Sequence, residues 1–125
     1  MATRTLQVTI QNTGSFSWTF VVGASISTNV AGTGCDLNVG GGQYTDLPLQ
    51  TITLAPGQSG TLQWTFDDAK VGGTTVMPGQ TLYAIVKVWQ SQSGGVPQNC
   101  LAGAYKSFTA VGTSPSVQIT QITVV

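Results

Sequence analysis

The sequence predicts an all-β protein, an antiparallel β-sandwich of about seven to eight short strands. Three observations carry this. The segments Phe16–Ile26, Leu62–Phe66 and Leu82–Val88 alternate apolar and polar residues with a period of two. Successive side chains of a strand point to opposite faces, so each segment is a ribbon with one dry and one wet face. Turn residues separate the segments, and none repeats apolar positions at i, i+3, i+4 and i+7 as a helix would.

The first strand is Leu6-Gln7-Val8-Thr9-Ile10, with Leu6, Val8 and Ile10 inward. Asn12-Thr13-Gly14 turns the chain, because Asn and Gly accept tight-turn backbone geometry. In the Phe16–Ile26 strand every even-numbered residue is apolar. A polar loop follows through Asn29–Gly42. Tyr44–Leu49 and Gln50–Leu54 read as one strand broken at Pro48, which has no N–H to give a ladder. Ala55-Pro56-Gly57-Gln58 is a turn of the type that wants Pro second and Gly third. It leads into Gly60–Phe66, with Leu62, Trp64 and Phe66 inward. Asp67–Gly79 reads as a loop, Thr81–Gln90 as a strand, Gly94–Gly103 as a loop and Tyr105–Val111 as a strand. After Gly112-Thr113-Ser114-Pro115 a final strand covers Val117–Val125. Residues 1–125 are expected to form one domain, whose segment 116–125 pairs internally or with a neighbouring copy.

Charge is the compositional anomaly. Ionised residues make up 6% of the chain, four cations against four anions, and His is absent; an ordinary soluble domain has about 25%. All four carboxylates are Asp: Asp36, Asp46, Asp67 and Asp68. A balance this sparse cannot neutralise phosphates, so nucleic acid is not an expected partner, and neither is an anionic membrane surface. No apolar run approaches the ~18 residues of a membrane span. Met1-Ala2-Thr3-Arg4 does not open a secretory signal, which leaves an excised domain, a mature chain with a new Met, or a virion component. The wet faces are Ser, Thr, Gln, Asn and Gly, and near-zero net charge leaves little repulsion between copies.

Catalysis needs a tunable acid, base, nucleophile or metal. Without His or Glu, Ser–His and Cys–His arrangements are impossible. Asp67 and Asp68 are adjacent at a strand exit and point to opposite faces, unlike a glycosidase pair. They read as solvated turn carboxylates, without the spacing of a calcium loop. No cofactor is expected, and the chain reads as a non-enzyme. Cys35 and Cys100 each sit in a Gly-rich segment. They form either a disulfide between two loops or two unpaired thiols; zinc would need further ligands.

Trp18 and Trp64 share parity with apolar neighbours and read as core. In Thr81–Gln90 the set Leu82, Ala84, Val86, Val88 takes the inside, which places Tyr83, Ile85, Lys87 and Trp89 together on the outer face. That stripe is a contact surface or lies under a loop.

Val8-Thr9-Ile10-Gln11-Asn12-Thr13-Gly14-Ser15, Phe20–Ile26, Ile52–Thr61 leading to Trp64-Thr65-Phe66, and Tyr83–Trp89 together resemble the immunoglobulin-like modules of bacterial and archaeal surface proteins, particularly the CARDB type. The resemblance covers about the first ninety residues and implies an immunoglobulin-like sandwich serving as a spacer or adhesion unit. Two features depart from it. Gln90–Gly95 replaces an acidic, Asn-rich segment, and little room precedes Val8 for the extra strand such modules usually have. The surplus lies at the other end, where the charge-free run Val117, Ile119, Ile122 and Val124 shifts its alternation midway, as a bulge or two-sided burial requires. Such a strand is paired internally or completes a neighbouring copy's sheet.

The expected function is a non-catalytic structural or adhesive module of an extracellular, cell-surface or virion assembly, associating with copies of itself or a larger protein assembly. Two alternatives are a carbohydrate-binding module that meets surface glycans through Tyr83 and Trp89, and a capsid decoration protein.

Overall fold

The structure, a computed structural model, describes residues 3–112, 118–119 and 121–124. Its strands are β1 (Thr3–Gln11), β2 (Trp18–Ser27), β3 (Tyr44–Asp46), β4 (Gln50–Leu54), β5 (Ser59–Asp67), β6 (Lys70–Val71), β7 (Thr74–Thr75), β8 (Thr81–Ser93) and β9 (Val96–Thr109), with one 3-10 turn at Gly34–Asp36. The described residues contain no α-helix. The protein is an all-β antiparallel sandwich, and the short hairpin β6–β7 accounts for its count of nine strands.

β2 is the middle of the larger sheet. It pairs with β8 on one side, Val22 opposite Val88 and Ile26 opposite Ala84. On its other side β4 takes the first half and β3 the second. The break between β3 and β4 falls at Pro48 as expected, and Leu47 N–H keeps the chain close by donating to Ala24 O at 2.8 Å. The smaller sheet is β1 against β5, in register from Thr3 opposite Asp67 to Gln11 opposite Ser59.

β8 and β9 form a long hairpin through Gly94 and Gly95, both at positive φ (58° and 79°). A two-residue turn of that kind matches the right-handed twist of its strands. The Gly94–Gly103 loop expected from sequence is therefore strand from Val96 onward. Its residues betray no alternation because this arm has no consistently dry face: Val96, Gln98, Asn99, Leu101 and Ala102 are all exposed. The register slips between Val88 and Trp89, where Leu101 is the extra residue.

The core is two clusters between the sheets. One holds Val22, Ala24, Leu62 and Trp64; the other holds Ile26, Val71, Val76, Leu82, Ala84 and Ala110. Val71 and Val76 come from the segment read as the loop Asp67–Gly79. They are fully buried because the β6–β7 hairpin folds inward as a plug at the foot of the sandwich. Phe16 lies before β2 and is 64% exposed rather than inward.

Candidate functional site

The two sheets are unequal, five strands facing two, and this leaves the two flanks of the sandwich different. On the β5 flank the chain between β3 and β4 closes the edge with side-chain bonds. Trp64 Nε1–H donates to Pro48 O at 2.7 Å, and Gln50 Nε2–H donates to Gln63 O at 2.7 Å. On the other flank nothing among the described residues pairs with β1 beyond β5. No strand of the smaller sheet lies over β9. Ala102 and Ala104 sit opposite Val88 and Val86, at inward positions of β9, yet both are exposed.

The result is a groove between the β1 edge and the inner face of β8–β9. Its lower part, about 380 Å³, lies between Leu6, Val8 and Ile10 on one wall and Val86, Ala102 and Ala104 on the floor. Its upper part, about 620 Å³, continues past Ile10 and Ala102 to Phe16, Trp18 and Phe20. Trp18, expected in the core, is half-buried at this mouth, because β5 ends before it can cover the start of β2. Its indole N–H donates to Gln90 O at 2.8 Å, and its ring meets Phe16 edge-on at 5.9 Å.

Two polar devices fix the ends of the groove. At the top, Asn12 is 3% exposed. Its Nδ2–H₂ donates to Phe16 O and Leu54 O, both at 2.9 Å, and its Oδ1 accepts from Gly14 N–H. The turn Asn12-Thr13-Gly14 is thus tied to β4 as well as to itself. Asn12→Ala leaves the buried Leu54 carbonyl without this donor, so we expect a loss of about 1–3 kcal/mol, read as a lower urea midpoint at unchanged slope.

At the foot, Asp68 is fully buried, not solvated as the sequence suggested. Its Oδ2 accepts from Arg4 Nη1 at 3.1 Å and from Val111 N–H at 2.6 Å, and its Oδ1 accepts from Gly112 N–H at 3.1 Å. Burial by itself raises this carboxyl's pKa, but the two backbone donors and the Arg4 guanidinium together outweigh it and hold the group below the usual carboxylate range. Arg4 also donates to Thr109 O at 2.7 Å and stacks over the Phe108 ring at 5.0 Å. Its side chain therefore fills the gap between the start of β1 and the end of β9. Gly112, at φ 65°, cannot take a side chain, since a Cβ there would meet the Val76–Pro78 backbone at 2.7–2.8 Å. The chain's exit from the sandwich is pinned.

Cys35 and Cys100 are disulfide-bonded, 65 positions apart in sequence and with Cα atoms 6.0 Å apart. The bridge fastens the 3-10 turn onto β9. Gly103 is bare so that Gly34 O can lie directly on it; any Cβ there would overlap that carbonyl.

This loop decides the fate of the outer stripe. Tyr83, Ile85, Lys87 and Trp89 share a face as expected; Ile85 is buried and the other three are half-buried. Ile85 is buried beneath the loop with Leu37, and Lys87 Nζ donates to Cys35 O at 2.9 Å. The Trp89 ring lies against Gly23 and Leu49, and Tyr83 meets Tyr105 edge-on at 6.0 Å. The loop covers Ile85 and leaves Lys87 and Trp89 lining a cleft of about 510 Å³.

Of the final run, Ile119, Ile122 and Val124 are 76%, 81% and 92% exposed and belong to no strand; Val117 lies outside the described residues. Among the described residues no three His, Cys, Asp or Glu side chains meet to hold a metal, and no helix is long and apolar enough to cross a membrane.

Comparison of the chain with protein-family models, with curated proteins and with solved structures yields no match.

Proposed function

We propose that this chain is a non-catalytic structural module, of a surface or virion assembly, that associates with further copies of itself. The observation that carries this reading is the free β1 edge above an apolar groove, on one flank only. An unpaired edge offers a row of backbone donors and acceptors to another chain. Proteins that stay monomeric blunt such edges with charge, proline or a covering segment; here the β5 edge is covered, and among the described residues no strand pairs with the free edge of β1. A surface with 6% ionised residues adds almost no repulsion between copies.

The disulfide supports a place outside the reducing cytosol, where such bridges persist. The immunoglobulin-like and CARDB-like resemblance agrees with a spacer or adhesion role.

Sedimentation velocity over a concentration series tests the reading. We expect species larger than one chain, and their proportion is expected to stay the same between low salt and 1 M NaCl. Apolar and backbone contacts are not screened, whereas ion pairs are. A single monomeric boundary at every concentration overturns the reading.

A further inference from the structure

We infer that the occupant of the β1 groove is the C-terminal segment Gln118–Val124 of a second copy, laid against β1 as a third strand of the smaller sheet. This inference rests on the self-association reading and names the surface that performs it.

Four observations converge on this segment. It presents Ile119, Ile122 and Val124 at 76%, 81% and 92% exposure, the most exposed large apolar side chains among the described residues, and in the donated strand a bulge between Ile119 and Ile122 would bring all three to one face. The groove presents the complement. Ala102 and Ala104 are small and uncovered at inward positions of β9, so the floor has depth for large side chains exactly where the facing sheet lacks a strand. Neither partner carries opposing charge: the segment has none, and among the described residues lining the groove the one charged at neutral pH is Lys106 at its lower end. Finally, the lengths agree. β1 offers nine residues of edge, Thr3–Gln11, and the seven residues Gln118–Val124 fit within it.

The foot of the sandwich argues for a second copy over the chain's own segment. The chain leaves at Gly112, held by Asp68, beside the start of β1. A segment of the same copy entering the groove from there would have to pass Arg4, which bridges β1, Asp68 and the end of β9. A segment turning back past Arg4 would also run parallel to β1, because β9 descends toward Thr109 as β1 rises from Arg4. Parallel pairing is slightly weaker per residue than antiparallel. A segment arriving from another copy meets neither constraint and can pair antiparallel. Donation from the foot of one copy to the flank of the next is heterologous, so it propagates as a chain of copies unless the rotation closes a ring.

Two full-length variants test the inference. Ile119→Asp combined with Ile122→Asp cannot donate but retains its groove; the substituted positions are exposed, so folding is preserved. Ala104→Glu puts a charge on the groove floor at an exposed position, so it cannot accept but retains its segment. Each variant alone is expected to be monomeric at concentrations where the native chain associates, with association weakened about a hundredfold or more by the lost burial of two isoleucines. Mixed in equal amounts, the two are expected to form a species of two copies, one donor and one acceptor. If the native chain associates and either variant associates equally well alone, donation is overturned while self-association stands. Failure of the mixture to pair overturns it too. A native chain that is monomeric throughout overturns both readings together.

Discussion

Asp68→Ala is expected to lower the unfolding free energy by about 2–4 kcal/mol, measured by urea denaturation. The substitution strands two backbone donors, Val111 N–H and Gly112 N–H, the second of them in a buried bond. An unsatisfied buried donor costs about 1–3 kcal/mol. Arg4 contributes less to the total: its side chain is 34% exposed and can turn to water when its partner is removed. Arg4→Met should therefore cost less than Asp68→Ala, and a double-mutant cycle should show a coupling well below either full loss. Asp68→Asn is expected to fall between, because its single carbonyl oxygen cannot serve both amides.

The same group sets the acid limit of the fold. The Asp68 carboxyl has a lowered pKa in the folded state, so the folded state prefers it ionised more strongly than the unfolded state does. The stabilisation is fully present above the unfolded value near 3.9. It is lost as pH falls through the folded value. Stability should thus be flat from about pH 5 to 9, where the chain has no His to titrate and both cysteines are bonded, and should decline below about pH 4. In Asp68→Asn that acid decline should be shallower. An unchanged acid limb in the variant would assign the loss to other carboxylates.

How much of this was legible in the sequence follows from where water and core meet. β5 lies between a dry side and a wet side, and β2 and the first part of β8 keep the alternation in their residue types even where β2 is buried on both faces, so their positions were readable. The β6–β7 plug was not: Val71 and Val76 enter the core from a tight hairpin, and no period of two or 3.6 connects them. β9 was half hidden because its first residues line no core. The groove itself leaves no local mark. Leu6, Val8 and Ile10 read as ordinary inward residues, and only the count of strands in each sheet reveals that no further strand of the described residues lies beyond β1. Asp68 was misread for a related reason. Its partners Arg4, Val111 and Gly112 are 64, 43 and 44 residues away in sequence, and adjacency to Asp67 suggested a solvated pair. In a chain with four cations, an Arg whose parity sets it inward on β1 was the available signal.

The disulfide offers the other large effect. Replacing Cys35 and Cys100 together by Ala is expected to cost about 2–4 kcal/mol, since the bridge closes a loop of 65 residues and removes much of the unfolded chain's freedom. The far-ultraviolet strand spectrum should survive, because neither core cluster contains a cysteine. What should change is the outer face. With the 3-10 turn no longer fastened to β9, Lys87 loses the fixed carbonyl of residue 35, and the loop above Ile85 is held by Leu37, the pair of bonds between Ala31 and Asn38, and the bonds of Thr28 and Asn29 to Gln43 and Gly40. Hydrogen exchange should rise at residues 28–43 and along the outer face of β8. At β1 and β5, on the opposite side of the core, it should rise only by the loss of global stability. The same variant separates the two faces functionally. If copies associate through the β1 groove, loss of the bridge should lower stability and leave the association constant within about threefold of native, when compared under conditions where both are folded. A parallel collapse of association would place the contact on the loop-covered face instead.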